Sequence, residues 1–218
     1  HIINNQITDI GEYGIMLWDS GGGATMNNIH VRGNTISNYN SLGISHGAKA
    51  GISCTGGYNV FLTDNIIDSL NDPLTGSYGI YVSGGSATRN FHIRNNVINK
   101  LTGAGGILVF KGGGGYGTNV VIEGNTLEKC RGVLAQCVWG ALTDLRIARN
   151  TFEEPFGSWG VYLQAFSGSI LDFKAHGNTM ADVRGSTFPV EGDDNVGWLA
   201  DASAGYRISG TIDGDTVF

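Results

Sequence analysis

FHIRNNVI, residues 91–98, is followed 29 residues later by VVIEGNTL, residues 120–127. Both stretches carry apolar residues at positions 1, 3 and 8 and an asparagine at position 6. Related stretches are found at residues 2–7, 29–36, 60–67, 145–152, 173–180 and 210–217. The marker residues of this repeat are Asn5, Asn34, Asn65, Asn96, Asn125, Asn150, Asn178 and Asp215, at intervals of 25 to 37 residues. Repeats of this length are typical of solenoids, in which one structural unit stacks on the next.

A second pattern lies between the markers and consists of a glycine followed by apolar residues at alternate positions. It is found at residues 14–18, 51–55, 79–83, 106–110, 132–136, 160–164 and 197–201. Both patterns alternate with a period of two, which is typical of β-strands, and no stretch keeps the 3.6-residue spacing of a helix. Strands that recur in the same order predict coils that stack in parallel at about 4.8 Å.

The repeated asparagine has a physical explanation in such a stack. An amide that lies inward or in a turn can hydrogen-bond the asparagine of the next coil, which would build a ladder through the molecule. Asparagine also tolerates the left-handed backbone conformation of a sharp turn. We therefore expect an all-β solenoid of about seven coils, which forms a single domain over residues 1–218 and is a fragment of a longer chain.

The composition agrees with short strands and tight turns, since the chain has 36 glycines and 3 prolines. The net charge of −6 argues against a nucleic-acid-binding chain. No apolar stretch has the length of a membrane span. The three cysteines, Cys54, Cys130 and Cys137, have no zinc-site spacing and are too few for a disulfide framework, so we expect inert buried thiols. No metal or cofactor is expected.

On these repeats, the chain resembles the pectate-lyase-like superfamily of right-handed parallel β-helices over residues 2–217. The stretches that end in Asn-Thr-apolar are similar to the repeats of phage tailspikes, alginate epimerases and secreted polysaccharide lyases, although the Y-G-[FV]-D-P-H signature of the epimerases is absent. The resemblance implies a right-handed parallel β-helix. It also implies that the glycine pattern forms the first sheet, that the strand before the asparagine forms the second sheet, and that sugars bind on the first sheet.

Alternation places two rows of residues on the outer face of the first sheet. One row contains Met16, Ser53, Tyr81, Leu108, Leu134, Tyr162 and Leu199, and the next contains Trp18, Thr55, Ser83, Phe110, Gln136, Gln164 and Asp201. The candidate substrate-binding residues in these rows are Trp18, Tyr81, Phe110, Tyr162, Gln136 and Gln164. Aromatic rings suit stacking on sugars, and amides suit hydrogen bonds to hydroxyl groups. The apolar members of the rows are equally compatible with packing under loops or against a sister subunit in a homotrimer.

Acidic residues supply candidates for glycoside hydrolysis, which needs two carboxyl groups about 5 Å apart for retention or about 6.5–9.5 Å apart for inversion. Neighbouring coils offer such spacings. The acidic residues are densest in the last two coils, where we select Glu154 and Asp201 as the candidate catalytic pair. The alternative is a solvated acidic loop.

Basic residues supply candidates for β-elimination, which needs a base and a cation that stabilises the enolate-like state. The candidate is Lys111, with Arg131 one coil on and Tyr81 one coil back. His46 and Lys49, on a long loop, are possible additions to this set.

The outer face of the second sheet carries a stripe of mainly basic residues. The stripe contains His30, Arg32, His92, Arg94, Glu123, Arg146, Lys174 and His176. Such a stripe can hold an anionic glycan, and a solvated face with alternating charge explains it equally well.

Together, these features lead us to expect a polysaccharide-binding and polysaccharide-degrading β-helix, similar to a tailspike depolymerase with glycoside hydrolase activity. The alternatives are a polysaccharide lyase and a non-catalytic adhesin or receptor-binding spike. The expected partner is a bacterial surface polysaccharide or another acidic polysaccharide, bound by a homotrimer that is extracellular or on a virion surface.

Overall fold

A computed structural model describes residues 1–19, 26–39, 49–68, 77–84, 87–101, 105–113, 116–153, 160–181 and 198–217. Within these ranges the chain forms β-strands and turns and no helix. In chain order the strands are β1 (Ile2–Ile3), β2 (Gln6–Ile10), β3 (Tyr13–Trp18), β4 (Asn27–Arg32), β5 (Thr35–Tyr39), β6 (Lys49–Thr55), β7 (Tyr58–Thr63), β8 (Ile66–Asp68), β9 (Ser77–Gly84), β10 (Ala87–Arg94), β11 (Val97–Asn99), β12 (Gly105–Lys111), β13 (Tyr116–Glu123), β14 (Thr126–Glu128), β15 (Arg131–Ala148), β16 (Thr151–Glu153), β17 (Val161–His176), β18 (Thr179–Ala181), β19 (Trp198–Ala202), β20 (Ile208–Asp213) and β21 (Thr216–Val217).

The strands pair only in parallel across the described ranges. An 8-stranded sheet takes one strand from each coil, in the order β2-β5-β8-β11-β14-β16-β18-β21. The remaining strands form a 13-stranded sheet. Each coil thus pairs with the coils above and below it, and the predicted all-β parallel solenoid is confirmed.

The 13-stranded sheet contains both the first and the second sheet that the sequence predicts. They are joined because β15 and β17 continue through the corner between them. The coil between Asn125 and Asn150 spans only 25 residues, which leaves no length for a loop at this corner. The 8-stranded sheet is a third face, formed by the short strands directly after the asparagine markers; we call it the third sheet.

Inward-facing side chains align from coil to coil because the strands pair in register. One column of the first sheet contains Ile15, Ile52, Ile80, Ile107, Val133 and Val161. One column of the third sheet contains Ile36, Ile67, Ile98, Leu127, Phe152 and Met180. All of these residues are buried. Each large aliphatic side chain removed from water contributes about 1.5–3 kcal/mol, so these columns are the main source of stability.

The three cysteines lie inside this core as free, buried thiols, which confirms the expectation from their number and spacing. Burial raises the pKa of Cys54 and of Cys130 to about 12. These thiols therefore stay protonated at neutral pH and behave as small apolar side chains.

The asparagine markers form the predicted ladder, in which the Nδ2 and Oδ1 atoms of each buried side chain both take part in hydrogen bonds. Asn96 donates from its backbone N–H and from Nδ2 to Oδ1 of Asn125, at 3.0 and 2.9 Å. Its own Oδ1 accepts the same two bonds from Asn65, both at 3.0 Å. Nδ2 of Asn96 also donates a second hydrogen bond, to the carbonyl oxygen of Leu62 at 2.9 Å. The pattern repeats at every step, and at the last one Asp215 accepts both bonds from Asn178.

The residue before each ladder position, and not the ladder asparagine itself, has the left-handed backbone conformation. These turn positions are Asn4, Gly33, Asp64, Asn95, Gly124, Arg149, Gly177 and Gly214. The expectation that the repeated asparagine tolerates this conformation is therefore wrong for the marker. The marker is an asparagine because its buried amide must donate and accept at once.

The repeated glycine of the first sheet is explained by close packing against the third sheet. A Cβ atom on Gly79 would lie 2.6 Å from Cγ2 of Ile98 and 2.8 Å from the carbonyl oxygen of Gly106. A Cβ on Gly51 would meet Ile67 in the same way, also at 2.6 Å. The third-sheet isoleucine therefore occupies the space that a side chain would need.

We predict that Asn96→Ala destabilises the fold by roughly 3 kcal/mol or more, because it leaves the two Asn65 donors and the Leu62 carbonyl without partners in a buried site. Chemical denaturation measures this change. The matched control is Asn95→Gly, one residue away, because glycine occupies the same turn position at Gly33 and Gly124. A small effect of Asn96→Ala, no larger than that of the control, would contradict the role of the ladder.

We predict that Gly79→Ala costs about 1–3 kcal/mol, because the new methyl group overlaps Ile98 and the backbone of the next coil. Thermal or denaturant unfolding gives the value. Ser83→Ala on the same strand faces outward and should change stability by less than about 0.5 kcal/mol. Equal stabilities of the two variants would show that the glycine column is not set by packing.

Candidate functional site

The outer face of the first sheet has the two rows that the sequence predicts. Strand pairing aligns Tyr81 with Leu108, and it aligns Phe110 with Gln136 and Gln136 with Gln164. The register continues to Asp201, which pairs with Gln164. Successive residues of a row are therefore one coil apart, or about 4.8 Å.

Polar side chains in the last described coils are joined by hydrogen bonds. Gln136 donates from Nε2 to Oε1 of Gln164 at 2.8 Å, and Gln164 donates from its own Nε2 to the hydroxyl oxygen of Tyr162 at 3.0 Å. Partial burial, followed by the nearby Asp201 carboxylate, raises the pKa of Tyr162. We call Gln136, Gln164, Tyr162 and Asp201 the polar cluster. The sequence predicted its members but not the bonds between them.

The aromatic candidates lie at different distances from the polar cluster. Phe110 pairs directly with Gln136 and is therefore its neighbour. Tyr81 lies one coil farther away, and its ring centroid is 6.1 Å from that of Tyr78. Trp18 is 61% exposed but stands four coil steps from Gln136, or roughly 19 Å. Phe110 thus adjoins the cluster, Tyr81 lies one coil beyond Phe110 in the neighbouring row, and Trp18 lies at the far end of the row that contains Phe110.

Two exposed aromatic residues on the strands that carry Gln136 and Gln164 were missed by the sequence analysis. Trp139 on β15 is 58% exposed and Phe166 on β17 is 38% exposed. Both lie where these strands cross the corner between the first and second sheets. The interval of only 25 residues between Asn125 and Asn150 could have revealed them, because so short a coil must keep its strand uninterrupted through the corner.

The hydrolytic candidates are placed only in part. Asp201 lies exposed at the end of its row, beside Gln164 and close enough to Tyr162 to affect its pKa. Glu154 lies outside the described residues. The polar cluster therefore contains one carboxylate, whereas the mechanism of hydrolysis needs two.

The candidates for β-elimination are not brought together. Lys111 is buried, with 1% of its surface exposed, and donates from Nζ to the carbonyl oxygen of Gly113. Burial lowers its pKa, and the nearby Cys137 opposes this shift. Lys111 pairs with Cys137, whereas Arg131 pairs with Gly105 at the other end of β12. Because strand residues alternate between faces, Lys111 follows Ile107 and Val109 into the interior.

The two further basic candidates do not complete the elimination set. Lys49 begins β6 and is buried, with 3% of its surface exposed. His46 lies outside the described residues.

On the outer face of the second sheet, aromatic rings stack at one end and charged side chains lie together at the other. His1, His30, Phe61 and His92 form a stack with successive ring centroids 4.8, 4.7 and 4.9 Å apart. Burial and then the Arg94 charge lower the pKa of His92, while Glu123 opposes them. The stripe predicted from the sequence is therefore basic in part only, because Glu123 lies in its middle.

What the first-sheet face can do chemically follows from its groups. Aromatic rings offer apolar contact, and amide and hydroxyl groups donate and accept hydrogen bonds, which is the combination that binds sugars.

Across the described ranges, no group of three or more histidine, cysteine or acidic side chains is placed to hold a metal ion. In the same ranges, no helix has the length and apolar character needed to cross a membrane.

Comparison with known proteins gives one result. A protein-family model described as "Right handed beta helix region" matches residues 1–152, which is more than half of the chain. Neither the curated proteins nor the solved structures contain a significant match. The family match agrees with the parallel solenoid of the structure and adds its handedness. The chain therefore belongs to the right-handed parallel β-helix family.

Proposed function

We propose that this chain is a polysaccharide-binding β-helix whose sugar site is the first-sheet face around the polar cluster. The observation that carries the proposal is the hydrogen-bonded chain Gln136–Gln164–Tyr162, in which Gln136 pairs with Phe110 of the preceding coil. A fold of this family suggests a polysaccharide-related or surface-binding protein. The fold does not define the chemistry, so the argument rests on the side chains of this face.

The shape of the face favours a long ligand over a small one. Its rows place outward side chains at about 4.8 Å intervals along the solenoid, so an extended ligand that runs along the rows can contact a side chain at each step. Gln164 holds both neighbours in position, because its carbonyl accepts from Gln136 and its amide donates to Tyr162. Prearranged polar groups of this kind lose little side-chain freedom when a sugar binds.

Cleavage of the bound polysaccharide is the second candidate function, in the manner of a tailspike-depolymerase-like glycoside hydrolase. It is favoured by Asp201, which is exposed and lies beside Gln164 at the edge of the proposed sugar site. In this proposal Asp201 acts with Glu154. A lyase reaction through Lys111 has less support, because the ammonium group is buried and donates to a backbone carbonyl.

A non-catalytic spike or adhesin module is the third candidate, with the same face covered by sister subunits in a homotrimer. It is favoured by the exposed aromatic side chains of Trp139 and Phe166, which lie on the same strands as Gln136 and Gln164. Sedimentation analysis separates this arrangement from a sugar-binding monomer, because it measures the number of subunits directly.

We predict that Gln164→Leu weakens polysaccharide binding about five- to tenfold, because it removes both hydrogen bonds of the cluster. Affinity electrophoresis against a panel of neutral and acidic bacterial surface polysaccharides measures the effect. Thr151→Leu makes a similar polar-to-apolar change on the third sheet and should bind as the unmodified protein does. Equal effects of the two variants, or no binding to any member of the panel, would argue against this site.

If the protein cleaves its ligand, we predict that Asp201→Asn reduces the release of new reducing ends by about 100-fold or more, while binding is kept. Asp213→Asn on the second sheet is the matched control and should remain active. An unsaturated product, detected by its ultraviolet absorbance, would indicate elimination instead of hydrolysis. Unchanged turnover by Asp201→Asn would remove this residue from the catalytic set.

A further inference from the structure

Three arginines converge on one carboxylate on the outer face of the second sheet. Nε of Arg94 lies 3.3 Å from one oxygen of Glu123, and a terminal nitrogen of Arg146 lies 3.4 Å from the other. Arg149 pairs with that second oxygen as well. His176 extends the group, with its Nε2 atom 3.3 Å from Arg146. We call Arg94, Arg146, Arg149 and His176, around Glu123, the arginine cluster.

The arginine cluster has more positive charge than its carboxylate can balance. Glu123 carries one negative charge, so two of the three guanidinium charges are left without a counter-charge inside the cluster. The carboxylate lies beneath the arginines, since its side chain is 12% exposed while theirs are 40–62% exposed. A ligand that approaches this face therefore meets guanidinium groups first.

The backbone at Arg149 is an independent sign that this side chain matters. Its φ of +52° is left-handed, a conformation that costs ordinary residues about 1 kcal/mol or more. The other turn positions of this column are held by asparagine, aspartate or glycine. Here an arginine stands in the strained position, and its side chain points to Glu123.

The neighbouring coils show how the excess charge is distributed. Lys174 pairs with Arg146 in the next coil and adds a further exposed cation. Acidic residues lie at two edges of the same face: Asp213 pairs with His176, and Asp144 accepts a hydrogen bond from Thr118 at the opposite corner. The excess positive charge is thus confined to a patch of four coils, whose three steps of about 4.8 Å span roughly 14 Å.

We propose that the arginine cluster binds the carboxylate or sulfate groups of an acidic polysaccharide. Guanidinium groups match the planar, two-oxygen geometry of such anions, and their arrangement on successive coils suits a chain with repeated charges. The net charge of −6 opposes nucleic acid, whose phosphates would also face the acidic remainder of the protein. The site goes beyond the proposed function, because it lies on a different sheet from the polar cluster.

The test measures binding of the whole chain to immobilised heparin, polygalacturonate and dextran, which present sulfate, carboxylate and no charge. We expect retention on one or both acidic polymers, no retention on dextran, and weaker binding as salt screens the charges. Arg146→Gln and Arg149→Gly should each weaken retention roughly five- to tenfold. Arg149→Gly also relieves the backbone strain, so its thermal stability should be kept, which separates lost binding from lost folding.

The matched control is Arg32→Gln on the same sheet, because Arg32 forms a one-to-one pair with Asp64 at 3.0 Å and leaves no excess charge. Its retention should equal that of the unmodified protein. Equal weakening by Arg32→Gln, retention on dextran, tighter binding to duplex DNA, or no retention at all would each overturn the proposal. Salt distinguishes failure of one site from failure of the other, because added salt weakens binding at the charged arginine cluster and has little effect on sugar binding at the polar cluster, whose described contacts are hydrogen bonds between neutral groups.

Discussion

The hydrogen bonds between buried asparagine amides are the interaction on which the arrangement of the coils depends. Each ladder asparagine accepts two hydrogen bonds at its side-chain oxygen from the preceding coil and donates two, from its backbone N–H and its Nδ2, to the following one. A coil displaced by one residue would therefore leave several buried polar groups without partners. Hydrophobic burial supplies most of the stabilising free energy but has no direction. The ladder supplies the direction and thereby selects one register among many that would bury similar area.

From that register follows the geometry of both outer faces. Residues that stand at equivalent positions in successive repeats become neighbours, although 25 to 37 residues separate them in the chain. This brings Gln136 to Gln164 on the first sheet and Arg94 to Glu123 on the second. The two faces differ in chemistry, since one combines aromatic rings with neutral amides and the other gathers guanidinium groups. A rigid solenoid can thus present two surfaces to an extended ligand, each set by the same internal ladder.

The sequence predicted the repeating parts of this molecule and missed the parts where the repeat is broken. The strands, the ladder and the outer row through Gln136 and Gln164 follow from alternation and spacing, which are local properties. The third sheet was missed because its strands are only two to five residues long. Arg149 was missed because the repeat was recognised by the asparagine that follows this turn position, and the identity of the turn residue is not part of that pattern.

The candidate site was predictable where it lies within strands. Lys111 was selected although alternation places it on the inward face after Ile107 and Val109, where it is buried and donates to a backbone carbonyl. Trp139 became visible only once β15 was seen to continue through the corner between the first and second sheets. The hydrolytic pair rests on Asp201 alone among the described residues. Pattern therefore identifies which residues share a row, whereas corners and loops decide which of them reach a ligand.

The most direct test of this account is native-state hydrogen exchange of the backbone amides of the ladder. The N–H groups of Asn65, Asn96 and Asn125 each donate to the side chain of the next coil in a buried site. If the ladder holds the coils in register, these amides should exchange only through global unfolding, as slowly as the best-protected strand amides. Exchange several orders of magnitude faster than that of the neighbouring strands would contradict the account, because it would show that the coils stay stacked while the ladder opens.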